Sequence, residues 1–251
     1  MTHPRAGLLG VPISLLDGAG VQDEVVRTAG ANGGYVTVCN VHSLVTAQHD
    51  AELREALIGS SVNCADGMPL VWGLRLLGHR NARRAYGQAL MERLLGCVEG
   101  GVRRHYFLGS TETVQRRLLG TVTERFPGAE VVGRWVPPFS REVPALPPAV
   151  REEIRRGRTD VVWVGLGCPK QEKWMRRHWQ ALAPSVLIGV GAAFEYLAGT
   201  KPTPPAWVRS VGLEWLFRMV TEPRRLAWRY LSTNPQFLLR VGLQVWRQRR
   251  R

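Results

Sequence analysis

The sequence predicts an α/β fold: a mainly parallel sheet flanked by helices, followed by a C-terminal helical appendage. Three observations carry this. Short β-leaning runs alternate with helical patterns from about Tyr35 to Gly191, the signature of strand–helix–strand units. Two of the runs, "DVVWVGLG" and "SVLIGVG", are almost wholly apolar, as strands covered on both faces of a parallel sheet must be. After "GTKPTPPAW" the alternation stops, and only helical patterns follow.

"YVTVCNV" is a strand, and "DAELREALIGS" a helix with Asp50 as its N-cap. "SVNCAD" is a short strand; "MPLVWGLRLLG" is a helix that ends at Gly78. "RHYFLGS" is a strand and "TETVQRRLLGTVTERF" an amphipathic helix stopped by Pro127. "AEVVGRW" is a strand, the proline-rich "VPPFSREVPALPP" a loop, and "AVREEIRRG" a helix. "PKQEKWMRRHWQAL", after the strand "DVVWVGLG", opens with a proline expected at the first helical position. The tail carries three helical stretches: "WVRSVGLEWLFRMV", "RRLAWRYLS" and "PQFLLRVGLQVWRQRRR". Met1–Gly199 is read as the catalytic-type domain and Thr200–Arg251 as the appendage.

Composition narrows the classes. The chain has 251 residues, 45% of them hydrophobic, which is ample for a core. No apolar run reaches the roughly 18 residues of a membrane span, and no basic patch precedes an apolar stretch at the N-terminus. A cytoplasmic protein is expected. Cys39, Cys64, Cys97 and Cys168 form no Cys-x-x-Cys pair and read as small buried hydrophobes. The net charge of +14 is concentrated: residues 200–251 hold 11 Lys+Arg against 2 Asp+Glu, with Trp207, Trp215, Trp228 and Trp246 among them. Such a tail suits an anionic surface, phospholipid or nucleic acid.

In an open parallel sheet, ligands bind beyond the carboxyl ends of the strands. The polar residues that follow the strands are therefore the candidates: Asn40 and His42; Asp66; Gly109, Ser110 and Thr111; Gly165, Gly167 and "PKQE"; Gly189, Gly191 and Glu195. Asp66 reads equally as a helix cap and as a carboxylate at the mouth of a site. "GLGCPKQEKWM" is the strongest stretch. Its glycines allow close backbone approach, the helix start favours phosphate, Lys170 adds a cation and Gln171 an amide. "GVGAAF" is a fragment of a dinucleotide fingerprint in a late strand, weak support for a nicotinamide cofactor. There is no Asp-x-Asp to hold a divalent ion; Arg84 and Lys170 are the cations left to meet leaving-group charge. A dehydrogenase and a nucleic-acid-binding protein remain as alternative readings.

"VCNVHSL", "ADGMPLVW", "FLGS", "VGLGCPKQEKWM", "GVGAAFEYLAG" and "GLEWLFRMVTEPRRLAWRYL" occur in that order. With them the chain resembles the WecG/TagA/CpsF glycosyltransferases, glycosyltransferase family 26, from about Tyr35 to Phe237. The resemblance implies a Rossmann-like domain and an inverting, metal-independent transfer without a cofactor. The sugar, of N-acetylhexosamine, hexuronic or hexose type, passes from a UDP-sugar to a polyprenyl-pyrophosphate-linked acceptor in cell-surface polysaccharide synthesis. It also implies a peripheral position on the inner face of the plasma membrane and no nucleic-acid partner; a tail so basic is expected to be covered by membrane or by homo-oligomerisation. Residue by residue, the family's general base falls on Asp66, its first-strand Asn on Asn40, the Arg of "R-x-x-G" on Arg84 and the Gln of "PKQE" on Gln171. The appendage arginines fall on Arg218, Arg225 and Arg229. Three positions depart. Thr37 precedes Asn40 by three where many members have Thr-x-Asn, and Ala89 and Glu195 stand where many have Asp.

Overall fold

In the computed structural model, residues 3–97, 101–205, 208 and 214–250 are described. The chain opens with a hairpin of β1 (Arg5–Leu8) and β2 (Val11–Ser14), which the sequence reading leaves unassigned. Its turn sets Leu9 at φ 52° and Gly10 at φ 75°, the left-handed pair a tight hairpin favours. Leucine resists that conformation, and here it is held from outside. The Leu9 N–H donates to Gln244 Oε1 at 2.9 Å, and its carbonyl accepts from Gln48 Nε2 at 3.1 Å.

There follow α1 (Gly18–Thr28), β3 (Gly34–Cys39), α2 (Val41–Thr46), α3 (Ala51–Ile58), β4 (Val62–Ala65), α4 (Met68–Leu76) and α5 (Gly87–Leu95). Next are β5 (Arg104–Gly109), α6 (Glu112–Arg125), β6 (Glu130–Trp135), α7 (Pro148–Arg156), β7 (Val161–Gly165), α8 (Lys170–Leu182), β8 (Val186–Gly189) and α9 (Ala193–Leu197). Asp50 caps α3 as expected, accepting from Leu53 N–H at 3.0 Å. Pro169 is the N-cap of α8 rather than its first helical residue. Cys39 and Cys64 are buried, but Cys97 and Cys168 are only half-buried; all four are free.

The sheet has eight strands in the order β1-β2-β4-β3-β8-β7-β5-β6, antiparallel between β1 and β2 and parallel elsewhere. Every residue of β3, β4 and β8 is buried, which explains their apolar sequences. On one face, α1, α5, α6 and α9 contribute Val21, Leu90, Leu118 and Phe194 to one cluster. On the other, α7 and α8 contribute Ile154 and Trp174. So the chain leaves β5 toward one face and the neighbouring β7 toward the opposite face. That reversal opens a crevice at the carboxyl ends of the strands. The strand ends meet closely there: a Cβ on Gly109 would lie 2.6 Å from the carbonyl of Gly165, and Ser110 N–H donates to that oxygen at 3.0 Å.

The tail contains α10 (Glu214–Thr221) and α11 (Pro223–Arg249). The first stretch of the tail begins at Trp207, where residues 206–207 and 209–213 lie outside those described. The expected break before "PQFLLRVGLQVWRQRRR" is absent: α11 runs straight through Pro235. An interior proline costs about 3 kcal/mol, largely through the hydrogen bond it removes. Phe237 and Val241, on the next two turns, are buried against α2, α4 and the hairpin. Each such burial contributes roughly 1.5–3 kcal/mol, which offsets the proline.

One buried group sets a pH limit on this fold. His105 in β5 is wholly buried, with Nδ1 accepting from Trp163 Nε1 at 3.3 Å. Burial pushes its pKa down to about 4, against a smaller opposing pull from Asp160. The unfolded chain takes up this proton near pH 6.5 while the folded chain does not, so stability falls as pH drops through that window. His105 alone accounts for a loss on the order of 3 kcal/mol between about pH 6.5 and pH 4. His105→Gln keeps an acceptor for Trp163 but does not titrate; in urea melts from pH 7 to pH 4.5 it flattens the stability slope.

Candidate active site

A cavity of about 920 Å³ lies over the carboxyl ends of β3, β4, β7 and β8, with α10 and α11 as its other wall. It gathers most of the residues picked from sequence: Asn40, His42, Asp66, Arg84, Gly165, Gly167, Gln171, Gly191, Glu195, Arg218 and Arg229. Three stand outside its lining. Thr37 is fully buried in β3 and its hydroxyl donates to Asn63 Oδ1 at 2.9 Å. Gly109 sits in the strand-end contact with Gly165. Lys170 Nζ donates to Ser140 O at 2.9 Å and lies 5.8 Å from the Phe139 ring centroid. The side chain of Arg225 is outside the described residues.

Asp66 is not a helix cap. Gly67 is the N-cap of α4, at φ 106°, with no side-chain capping bond. Asp66 is fixed instead by its backbone, whose N–H donates to Cys39 O at 2.7 Å, so the residue bridges the ends of β3 and β4. The returning loop is pinned to the same edge by Ala85 N–H on Ala65 O at 3.0 Å, which delivers Arg84. Burial raises the Asp66 pKa above the ordinary carboxylate range. Arg218, Arg84 and Arg229 pull it back, and Glu214 adds to the rise. The carboxylate is thereby a stronger base than an exposed one, yet the arginines keep its charged form accessible.

The arginines are themselves held. Arg84 pairs with Glu214 and lies over the Tyr86 ring at 4.3 Å. Arg218 lies 5.1 Å from the Tyr196 ring centroid. Arg229 Nη2 donates to Asn40 Oδ1 at 3.4 Å, and Asn40 in turn caps α2 through Ser43 N–H. The Nε atoms of Arg84 and Arg218 are buried without a partner among the described residues. Both are donors for an anionic ligand.

Gln171 and its neighbour form the opposite wall. Gln171 Oε1 accepts from Gly191 N–H at 3.1 Å, and Nε2 donates to Glu172 Oε1 at 3.0 Å. Glu172 also lines the cavity, and sequence reasoning passed over it in favour of the amide beside it. The available signal was an acid in the first turn of a helix that follows a glycine turn and an apolar strand. Glu172 is 1% exposed, its Oε2 has no partner among the described residues, and burial raises its pKa. His42 is lowered to about 4 by burial and by Arg229, so it is neutral at pH 7. Among the described residues no group of three or more His, Cys, Asp and Glu is placed to hold a metal ion.

Glu172 carries a stability signature. The unfolded chain releases its proton near pH 4.3 while the folded chain retains it, so stability falls as pH rises above that value. Glu172→Gln removes the ionisable group and keeps the shape. Its Tm exceeds that of the parent at pH 7, and the gain shrinks toward pH 4, as thermal melts at the two pH values report.

The chain is similar to the N-acetylglucosaminyldiphosphoundecaprenol N-acetyl-beta-D-mannosaminyltransferase of Bacillus subtilis, 25% identical over 83% of this chain and 79% of the relative. The same-named enzyme of Staphylococcus aureus is 26% identical over 77% of this chain and 73% of its own length. The sequence model of the glycosyl transferase WecG/TagA/CpsF family matches residues 6–251. That match takes in the sheet, the cavity and the arginine-bearing helices alike, and the chain belongs to the WecG/TagA/CpsF family of glycosyltransferases.

Proposed function

We propose that the protein transfers a sugar from a UDP-sugar to a sugar carried on a polyprenyl diphosphate, with inversion at the anomeric carbon and without a metal ion. The observation that carries this is Asp66, a carboxylate of raised pKa on the wall of a cavity, whose rise is opposed by the charges of Arg218, Arg84 and Arg229 on the same wall. A sugar hydroxyl is a poor nucleophile until its proton is leaving, and Asp66 takes that proton. The hydroxyl oxygen attacks the anomeric carbon from one side while UDP departs from the other. Arg84 and the turns at Gly165–Gly167 and Gly191 meet the charge of the departing diphosphate. Asn40 and Gln171 orient the sugars, and that orientation supplies much of the rate. The relatives are named as N-acetylmannosaminyltransferases that act on N-acetylglucosaminyldiphosphoundecaprenol, which supports a donor sugar of the N-acetylhexosamine class and an N-acetylglucosaminyl-diphosphoprenol acceptor here. A beta product is what a single displacement gives from an alpha-linked nucleotide sugar.

In this reading residues 1–199 are the catalytic domain and residues 200–251 an appendage that supplies Arg218, Arg225 and Arg229 and rests on the inner face of the plasma membrane. No described helix is long and apolar enough to cross a membrane. The tail instead exposes Trp228, Leu231, Leu239 and Trp246 among its arginines, the composition of an interfacial helix.

Two outcomes check these roles. Asp66→Asn binds UDP as the parent does and loses at least a hundredfold in transfer, read by mass spectrometry with a panel of UDP-sugars and a short prenyl-diphosphate N-acetylglucosamine. The acid limb of kcat/KM for the parent lies above the usual aspartate pKa of about 3.9. Arg218→Met moves that limb further up, because the first of the cations opposing the rise is gone. An unshifted limb would show that another group is the base. Separately, the parent co-sediments with anionic phospholipid vesicles, and Trp228→Ser with Trp246→Ser weakens that binding severalfold.

A further inference from the structure

The cavity does not end at its charged part. Beyond Tyr230 it continues between α4 and α11 as a slot walled by Trp72, Leu76, Phe237, Leu238, Val241 and Val245. No charged residue lines this stretch. Phe237 and Val241 are buried at its floor, whereas Trp72, Leu76 and Leu238 are 47%, 61% and 68% exposed. Contiguous apolar side chains left open to water mark a surface that is covered in use. Two glycines shape the slot. Gly73 brings α4 close to α11: a Cβ there would lie 3.5 Å from Val241 Cγ1 and 3.7 Å from Phe237 Cζ. At Gly242 a Cβ would meet nothing within 4 Å. From Tyr230 to Val245 the slot follows α11 for roughly 22 Å, at about 1.5 Å per residue.

We infer that this slot holds the proximal isoprenoid chain of the acceptor. The inference rests on the acceptor reading above and adds to it the place of the lipid. An amphipathic ligand needs an anion site and an apolar track that meet, and here they meet at Tyr230 and Asn234, next to Arg229. A prenyl chain has no polar atom to satisfy, and the slot offers it no charge. Its diphosphate then lies against Arg229 and Arg218, which brings the attached sugar to Asp66. The slot is open along its rim, so the distal chain leaves toward the bilayer without threading a closed tunnel.

Gly242→Trp tests this directly, because the new side chain enters open space. A helix position without glycine is intrinsically favourable, so the variant folds; Gly242→Ala, too small to fill the slot, is its control. The full-length protein is assayed in mixed micelles with N-acetylglucosamine diphosphate on a long polyprenyl chain and on a two-isoprene chain too short to occupy the slot. The parent and Gly242→Ala prefer the long chain at least tenfold in kcat/KM. Gly242→Trp brings that preference to twofold or less, while it binds acceptor-free anionic vesicles as tightly as the parent. The slot is overturned if Gly242→Trp keeps the parent's preference, if the parent shows none, or if preference and vesicle binding fall together, which makes the face a bilayer contact only. A parent that turns over neither acceptor overturns the acceptor reading, and the slot with it; that result is distinct because chain length then never enters.

Discussion

The packing of α11 onto the domain is the contact on which the site depends. Without it the carboxyl ends of the strands would form an open shelf. The contact is made by Phe237 and Val241 beside Gly73, and by Gln244, whose Nε2 donates to Gly7 O at 2.9 Å while its Oε1 accepts from Leu9. It acts in both directions. The helix gains a buried face that outweighs its interior proline, and the hairpin gains the partner that steadies Leu9 in a left-handed conformation. First and last elements of the chain are thereby locked together. The consequence is electrostatic: Arg218 and Arg229 are carried to Asp66, and water is displaced from around them, which strengthens each charge's effect on its neighbours.

That environment gives chemically similar groups different neighbours. Asp66 and Glu172 are both carboxyls on one cavity, and burial raises both. Around Asp66 three arginines oppose the rise. Around Glu172 the main opposing interactions are hydrogen bonds, and the Arg229 charge is the smallest of them. The charges that oppose burial are thus gathered on Asp66, and His42 beside them stays an uncharged ring.

The sheet was legible because its strands are short, apolar and fully covered, so residues such as Val161–Val164 admit no other reading. The ligand edge was legible for the same reason: a residue after a buried strand end has one place to go, as Asp66, Gly167 and Gly191 show. What was not legible depends on contacts distant in sequence. The turn at Leu9–Gly10 has no Asn-Gly or Asp-Gly signal, and it forms because Gln244 and Gln48 reach it. Pro235 reads as a break because local chemistry disfavours it, and the core beyond it decides otherwise. Thr37 sits three residues before Asn40, yet strand alternation and its pairing with Asn63 turn its hydroxyl into the sheet. Glu172 looked like an ordinary acid at a helix start, and only burial distinguishes it.

The tail's positive charge, one property in the sequence, divides into two in the structure. Arg218 and Arg229 line the cavity, where the charge of each shifts the titration of Asp66. Arg247, Arg249 and Arg250 are exposed at the far end of α11, with Arg250 over the Trp246 ring at 3.9 Å. Charges of the second kind are screened within about 8 Å at physiological ionic strength, and near an anionic bilayer each is worth about 1 kcal/mol. Added salt therefore acts on the two groups unequally. In the proposed function this separates the two tasks of the tail, since a surface contact that salt weakens would leave the inner arginines and the chemistry they support in place. The helix that joins Arg229 to Arg247 and Arg249 is continuous, so in the proposed function an enzyme resting on the membrane through its outer face holds the cavity at a fixed distance from the lipid.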